Sequence, residues 1–183
     1  ADLGTKAGFQ MHAIGDGDGG EALTFQKLQQ LKFQPGDFVV VHAHSNWNAD
    51  QKRVEVGLRE DAGIPLVEIA RLLFERGVLK ALFLGCEVNM AMTGLRNRFA
   101  RDPMLWRPQK GTTALEDLDY TLVGRKGPVA SDLDVVAATL WLEDCAARRP
   151  QALAADSALL NRSVPPARTL RWDASAGTPT IVR

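Results

Sequence analysis

The segment FVVVHAHSN, residues 38–46, places two histidines two positions apart at the end of a run of β-branched residues. Near-continuous apolar runs of this kind are typical of sheet strands that are covered by helices on both faces. We therefore predict a buried strand through residues 37–45, with His44 and Ser45 at its carboxyl end.

A second apolar run, VLKALFL at residues 78–84, ends in Gly85, Cys86 and Glu87. The chain between the two runs predicts a helix, because Pro65 suits a first helical turn and Gly77 suits the position just past a helix end. One face of this helix carries an apolar stripe of Leu66, Ile69, Ala70 and Leu73. We expect the second run to form the next buried strand.

Strand, helix and strand alternate along this part of the chain, which predicts an α/β fold with a mainly parallel sheet covered by helices. In such sheets, the loops at the carboxyl ends of the strands carry the functional site. If the two strands are neighbours, a right-handed crossover brings their loops side by side. His44 and Cys86 would then meet at one edge of the sheet.

The remaining elements complete a single domain over residues 1–183. We predict a core over about residues 8–147 and an extended C-terminal tail over residues 150–183, with a terminal hairpin. Further strands are expected at 8–14, at 119–125 and in KRVEVGLR. Helices are expected at 21–32, 88–101 and 132–147.

Composition excludes several classes of function. Lys and Arg number 22, as do Asp and Glu, so no net positive field attracts nucleic acid or an anionic membrane. No apolar run approaches the ~20 residues that a membrane-spanning helix needs. Two cysteines do not make a disulfide framework, and Cys145 is interpreted as a packing residue. The compartment stays open between cytoplasm and secreted effector.

Cysteine and histidine at two neighbouring strand ends indicate nucleophilic catalysis. A thiolate attacks carbonyl carbon well, and a nearby imidazole can take the thiol proton. Gly85 allows close approach of the backbone before Cys86. Both histidines of HAH point to one face of a strand, so either could approach Cys86. His44 lies nearer the loop, and His42 is predicted to be a buried core histidine.

The order of strand with histidine, short hairpin, helix, and strand with Gly-Cys-Glu resembles the caspase-like superfamily of cysteine peptidases. The bacterial CHAT-type and self-processing toxin branches are the most similar. The motifs that carry the resemblance are VVVHAHS, residues 39–45, and IPLVEIARLLFERGVLKALFLGCE, residues 64–87.

The resemblance implies a caspase-like fold and a cysteine endopeptidase that needs no cofactor. His44 would be the base and Cys86 the nucleophile, with the Cys86 amide and the backbone at Ser45 as oxyanion donors. The substrate would be another protein or the chain's own precursor, with an inhibitor or activator protein as a further partner. By the family's pattern and their position beside the site, the residues predicted to bind substrate are Asp16, Asp18, Trp47 and Glu87.

Two alternatives stay open. The family usually has glycine after its histidine, whereas this chain has Ser45, which favours an inactive caspase-like binding module. HAHS also resembles the His-x-His of metal-dependent hydrolases of the polymerase-and-histidinol-phosphatase type. In that reading zinc would be held by His42, His44 and Cys86 or an acid. The chain has one other histidine, His12.

Overall fold

The computed structural model describes residues 10, 12, 14, 23–34, 36–58, 61–101, 118–125, 135, 137–142, 145, 168–173 and 178–182. Eight strands lie in these ranges: β1 Phe38–His42, β2 Ser45–Asn48, β3 Arg53–Leu58, β4 Asp61–Pro65, β5 Lys80–Cys86, β6 Asp119–Arg125, β7 Arg168–Asp173 and β8 Thr178–Val182. The helices are α1 Phe25–Gln30, α2 Leu66–Glu75, a 3-10 helix Val88–Ala91, α3 Met92–Arg101, and α4, of which residues 135, 137–142 and 145 are described.

The strands form two sheets. The larger has the order β1-β5-β6-β7-β8, and the smaller has the order β2-β3-β4. Strands β1, β5 and β6 are parallel, whereas β7 is antiparallel to both β6 and β8. Four of the five strands in the larger sheet therefore run in one direction. This arrangement confirms a mixed α/β protein with a mostly parallel sheet.

Helix α2 forms where the sequence predicts it. Pro65 is its N-cap residue, and Gly77 follows its end with φ +85, a left-handed conformation that glycine adopts at little cost. The predicted apolar stripe is buried: Leu66, Ile69, Ala70 and Leu73 are all at most 1% exposed. The helix therefore joins β1 to the parallel strand β5 across a buried face of the sheet.

Apolar side chains cover both faces of the larger sheet. The main cluster joins β5 and β6 to helices α1, α2 and α3 and to the smaller sheet. The second cluster joins the opposite face of the sheet to α4, mainly through Trp141, which meets Phe38 at 5.4 Å between ring centroids. Cys145 packs against this second cluster, as predicted.

Several predicted elements have different limits in the structure. Helix α1 starts at Phe25 because Thr24 caps it, its hydroxyl oxygen accepting a hydrogen bond from the Lys27 N–H at 3.2 Å. The helix expected at residues 88–101 begins as a 3-10 turn before α3. Of the strand expected at 8–14, the described residues 10, 12 and 14 are exposed and have no regular structure; the others lie outside the described ranges.

The C-terminal hairpin is confirmed as β7 and β8, but it is not a tail outside the core. Strand β7 pairs with β6, and Leu170 and Thr169 are buried. The core therefore extends past residue 147, where we expected it to end, because the larger sheet continues into this hairpin.

Buried polar groups lie near the amino end of β6. The Thr121 hydroxyl donates to Asp119 Oδ1 at 2.8 Å, and its oxygen lies 3.1 Å from the hydroxyl oxygen of Thr169. A guanidinium nitrogen of Arg171 lies 3.9 Å from Asp119 Oδ2. On the other face, the Tyr120 hydroxyl donates to the Val78 carbonyl at 2.6 Å. No helix in the described ranges is long and apolar enough to span a membrane.

Candidate active site

The ends of β1 and β5 lie side by side, as the alternation of strands and helix predicts. His42, the last residue of β1, is opposite Leu84 in the parallel register. The next ladder hydrogen bond runs from the Ala43 N–H to the Leu84 carbonyl at 3.3 Å. Two residues further along, the same register corresponds to residues 44 and 86. Neighbouring strands in a sheet are roughly 4.8 Å apart.

At His44 the chain leaves the larger sheet for the smaller one. The His44 carbonyl accepts a hydrogen bond from the Gly57 N–H at 2.9 Å, and Ser45 is opposite Val56. In an antiparallel pair, residues with hydrogen bonds to the partner strand alternate with residues whose backbone groups face away. The backbone N–H groups of Ser45 and Trp47 therefore face away from β3.

The side of β2 that faces away from β3 meets the segment that carries Cys86. The Ser45 hydroxyl donates to the Cys86 carbonyl at 2.7 Å. The Trp47 N–H donates to Glu87 Oε2 at 2.9 Å. Two hydrogen bonds that involve side chains thus hold the histidine segment against the cysteine segment, beyond the point where the strand ladder ends.

Gly85 allows this close approach, as the sequence predicts. A Cβ atom at residue 85 would lie 2.5 Å from Ser45 Oγ and 2.7 Å from the Ala43 carbonyl oxygen. Real Cβ atoms do not approach other atoms so closely, and a backbone oxygen cannot move away at low cost. Any larger residue would therefore push the two segments apart.

His44 is exposed and Cys86 is half-buried, so solvent has access to both. Cys86 is not in a disulfide. It follows Leu82 and Leu84, which belong to the second cluster, by a period of two, so it lies toward the α4 face of the sheet. His44 and Cys86 thus belong to adjoining segments at the border of the core.

The prediction that His42 is a buried core histidine is wrong. His42 is exposed, and it is the last residue of β1. Its register partner Leu84 belongs to the second cluster, so His42 lies toward the same face as Cys86. A sequence pattern alone could not distinguish the last residue of a buried strand from an interior one.

Glu87 has an unexpected conformation and an unexpected partner. Its φ is +58, in the left-handed region that only a few non-glycine residues adopt. It is predicted to bind substrate, and in the structure one of its carboxylate oxygens accepts a hydrogen bond from the Trp47 N–H. Trp47, also predicted to bind substrate, is half-buried and packs against the main cluster. Asp16 and Asp18 lie outside the described ranges.

Asn89 was not predicted as part of this region. It is 6% exposed, and its side chain contacts the backbone at Gly124, where no Cβ would fit. Gly124 is opposite Gly85 in the register of β5 and β6. Gly85 and Gly124 make room for the 3-10 helix that follows the cysteine. They were the feature of the sequence that could have indicated this packing.

The zinc alternative lacks a ligand set in the part of the chain that the structure describes. Within these residues, no group of three or more His, Cys, Asp or Glu side chains could hold a metal ion. His12 is exposed. The arrangement that the described residues do provide is one thiol and exposed imidazoles at two joined strand ends.

No protein-family model matches the sequence, and searches of curated proteins and of solved structures also find no significant match.

Proposed function

We propose that this protein is a cysteine endopeptidase with Cys86 as nucleophile and His44 as general base and acid. The observation that carries the proposal is the register of β1 and β5, with its continuation through the Ser45 hydroxyl and the Cys86 carbonyl. This continuation brings residues 44 and 86 to adjacent strand ends. Nucleophilic catalysis by cysteine requires such proximity of thiol and base.

In the proposed reaction, Cys86 Sγ attacks the scissile carbonyl carbon while His44 takes the thiol proton. The tetrahedral intermediate collapses to a thioester, and His44 gives its proton to the leaving amine. Water then attacks the thioester, His44 accepts the water proton, and the thiol is regenerated on release of the acid. The Ser45 N–H, which faces away from β3, and the Cys86 N–H are the proposed oxyanion donors.

The order of elements supports a caspase-like fold for this site. The histidine strand β1 is followed by the antiparallel strands β2, β3 and β4, then by helix α2, and then by the cysteine strand β5. This order agrees with the strand, hairpin, helix and strand that the resemblance implies. On that basis the substrate is a protein, or the precursor of this chain, and catalysis needs no cofactor.

The decisive experiment measures cleavage of denatured casein and of the protein itself by purified wild type and four variants. Cys86→Ala should abolish cleavage, by at least about 1,000-fold. His44→Ala should reduce it about 100-fold or more, the usual contribution of acid–base catalysis. Cys145→Ala, which alters a cysteine packed against the second cluster, should cleave as wild type does.

The fourth variant, His42→Ala, decides between the two imidazoles. Wild-type activity in His42→Ala together with loss in His44→Ala supports the assignment of His44. The reverse result would transfer the role of base to His42. Cleavage that survives Cys86→Ala would exclude the peptidase proposal. A wild-type protein that cleaves nothing, and whose thiol resists alkylation, would favour the binding module.

A further inference from the structure

We propose that Glu87 is a positioning residue, whose carboxylate fixes the segment carrying His44 against the segment carrying Cys86. The inference rests on the proposed function, because it gives Glu87 a role in that same site. It differs from the substrate-binding role that the sequence suggested for Glu87.

Side-chain hydrogen bonds join the two segments at the site. The ladder between β1 and β5 ends with the bond from Ala43 to Leu84, and the His44 carbonyl turns to Gly57 in the smaller sheet. Beyond this point, the Ser45 hydroxyl and the Glu87 carboxylate each make a hydrogen bond between the two segments. These two side chains therefore contribute to the relative position of the His44 and Cys86 segments.

The bond to Glu87 is the stronger type of the two. A carboxylate that accepts from a backbone N–H makes a charge-assisted hydrogen bond, roughly twice as strong as a neutral one. The bonded N–H belongs to Trp47, on the side of β2 that has no partner strand among the described residues. Glu87, the residue after the proposed nucleophile, thus accepts a hydrogen bond from a backbone N–H at the edge of β2.

The backbone of Glu87 supports the same conclusion. A non-glycine residue in the left-handed region costs roughly 1–2 kcal/mol, and such residues concentrate at functional sites. In the described ranges the other non-glycine residue with positive φ is Lys52, in the exposed turn between β2 and β3. Glycine would remove the cost at residue 87, but it would also remove the carboxylate.

The experiment compares Glu87→Gly, Glu87→Gln and the matched control Lys52→Gly. Both glycine variants relieve a left-handed backbone, and in Glu87→Gly this gain offsets the lost hydrogen bond, so the midpoint of thermal unfolding should change little in either variant. Glu87→Gly should lower kcat by about 100-fold with little change in KM, the effect of a misplaced catalytic group. Glu87→Gln keeps an oxygen acceptor and should retain activity within about threefold of wild type. Lys52→Gly should behave as wild type.

Hydrogen exchange at the Trp47 amide tests the contact without any reference to cleavage. A lost hydrogen bond to a charged group should accelerate exchange at least about tenfold in Glu87→Gly. Glu87→Gln and Lys52→Gly should retain protection. This readout keeps the two proposals separate: an inactive wild type with the expected exchange pattern would refute the peptidase but not the contact.

Two results would overturn the inference. Wild-type kcat and a protected Trp47 amide in Glu87→Gly would show that the carboxylate holds nothing in place. Equal loss of kcat in Glu87→Gln and Glu87→Gly would show that the negative charge itself matters, as it would in recognition of a basic substrate side chain.

Discussion

Asp119 is the one carboxylate that is buried among the residues described, and its surroundings favour the protonated form. Burial raises the pKa of Asp119, while the Thr121 hydrogen bond and the positive charges of Arg171 and Lys80 act in the opposite direction. Two side-chain nitrogens of Arg171 are buried without a hydrogen-bond partner, so this ion pair at 3.9 Å is weakly made. Such a pair stabilises a protein little.

The raised pKa has a definite consequence for stability. The folded protein holds the Asp119 proton more tightly than the unfolded chain, whose ordinary value is 3.8. The contribution of Asp119 to stability is therefore complete below pH 3.8 and is lost as pH rises through the folded pKa. We expect the free energy of unfolding of Asp119→Asn, which cannot ionise, to rise relative to that of wild type as the pH increases from acidic to neutral.

Urea unfolding of both proteins over a series of pH values measures this difference. Asp50→Asn removes the same charge from an exposed turn and controls for net charge. If the curves of Asp119→Asn and wild type stay parallel from acidic to neutral pH, burial does not govern the titration of Asp119.

For single residues, the sequence indicates which side chains lie near strand ends better than it indicates their exposure, conformation and contacts. Cys86 and His44 follow from apolar runs that end in reactive side chains, because strand ends and the crossover between them are properties of the pattern. The exposure of His42, the φ of Glu87 and the hydroxyl contact of Ser45 depend on where the chain leaves one sheet for another. The pattern of apolar residues in 38–48 does not indicate where the chain passes from the larger sheet to the smaller one.

Among the elements, the junction of β1, β2 and β5 depends most on a single residue. Gly85 is surrounded by Ser45, the Ala43 carbonyl and Val88, whose Cγ1 would be 3.2 Å from an added Cβ. We expect Gly85→Ala to lower the free energy of unfolding by about 1–3 kcal/mol, the usual cost of overpacking. If the proposed function is right, cleavage should fall more than tenfold, because the methyl group separates the segments that carry His44 and Cys86.

Gly94→Ala is the matched control for that change. Gly94 lies in α3 and is exposed, and an added Cβ would meet Val67 at an ordinary 3.7 Å. Alanine in a helix should raise the free energy of unfolding by roughly 0.5–1 kcal/mol. Thermal unfolding and casein cleavage compare the two variants. A Gly85→Ala protein as stable and as active as Gly94→Ala would show that the junction tolerates a side chain.

The elements themselves were predictable where apolar periodicity and end signals agree. The strand expected at 119–125 is β6 in full, and α2 begins one residue after Pro65. Strand β4 was missed, since DAGIP is short and contains glycine and proline, which are depleted in strands. The segment 88–101 is divided into a 3-10 turn and α3, and the turn is preceded by the left-handed Glu87, which the sequence does not signal.

At the scale of the whole molecule, local patterns cannot determine which distant strands pair. The terminal hairpin was expected, but its place beside β6 was not, because the pairing joins residues about fifty positions apart. Helix α3 also packs against β7 and β8. The hairpin is therefore an integral part of the sheet that also contains β1 and β5, the strands beside the candidate site.

Leu170 tests this integration, because it is fully buried in the main cluster although it lies far from the site in sequence. Leu170→Ala should lower the free energy of unfolding by about 3 kcal/mol, since a large buried side chain is lost and a cavity remains. Val135→Ala, at a position 47% exposed, should change it by less than about 0.5 kcal/mol. Urea unfolding followed by tryptophan fluorescence measures both.

If the hairpin belongs to one cooperative unit, casein cleavage by Leu170→Ala should be lost at the same urea concentration as the fluorescence transition. Cleavage that persists beyond that transition would mean that β1, β5 and β6 fold without the hairpin, as a separate unit.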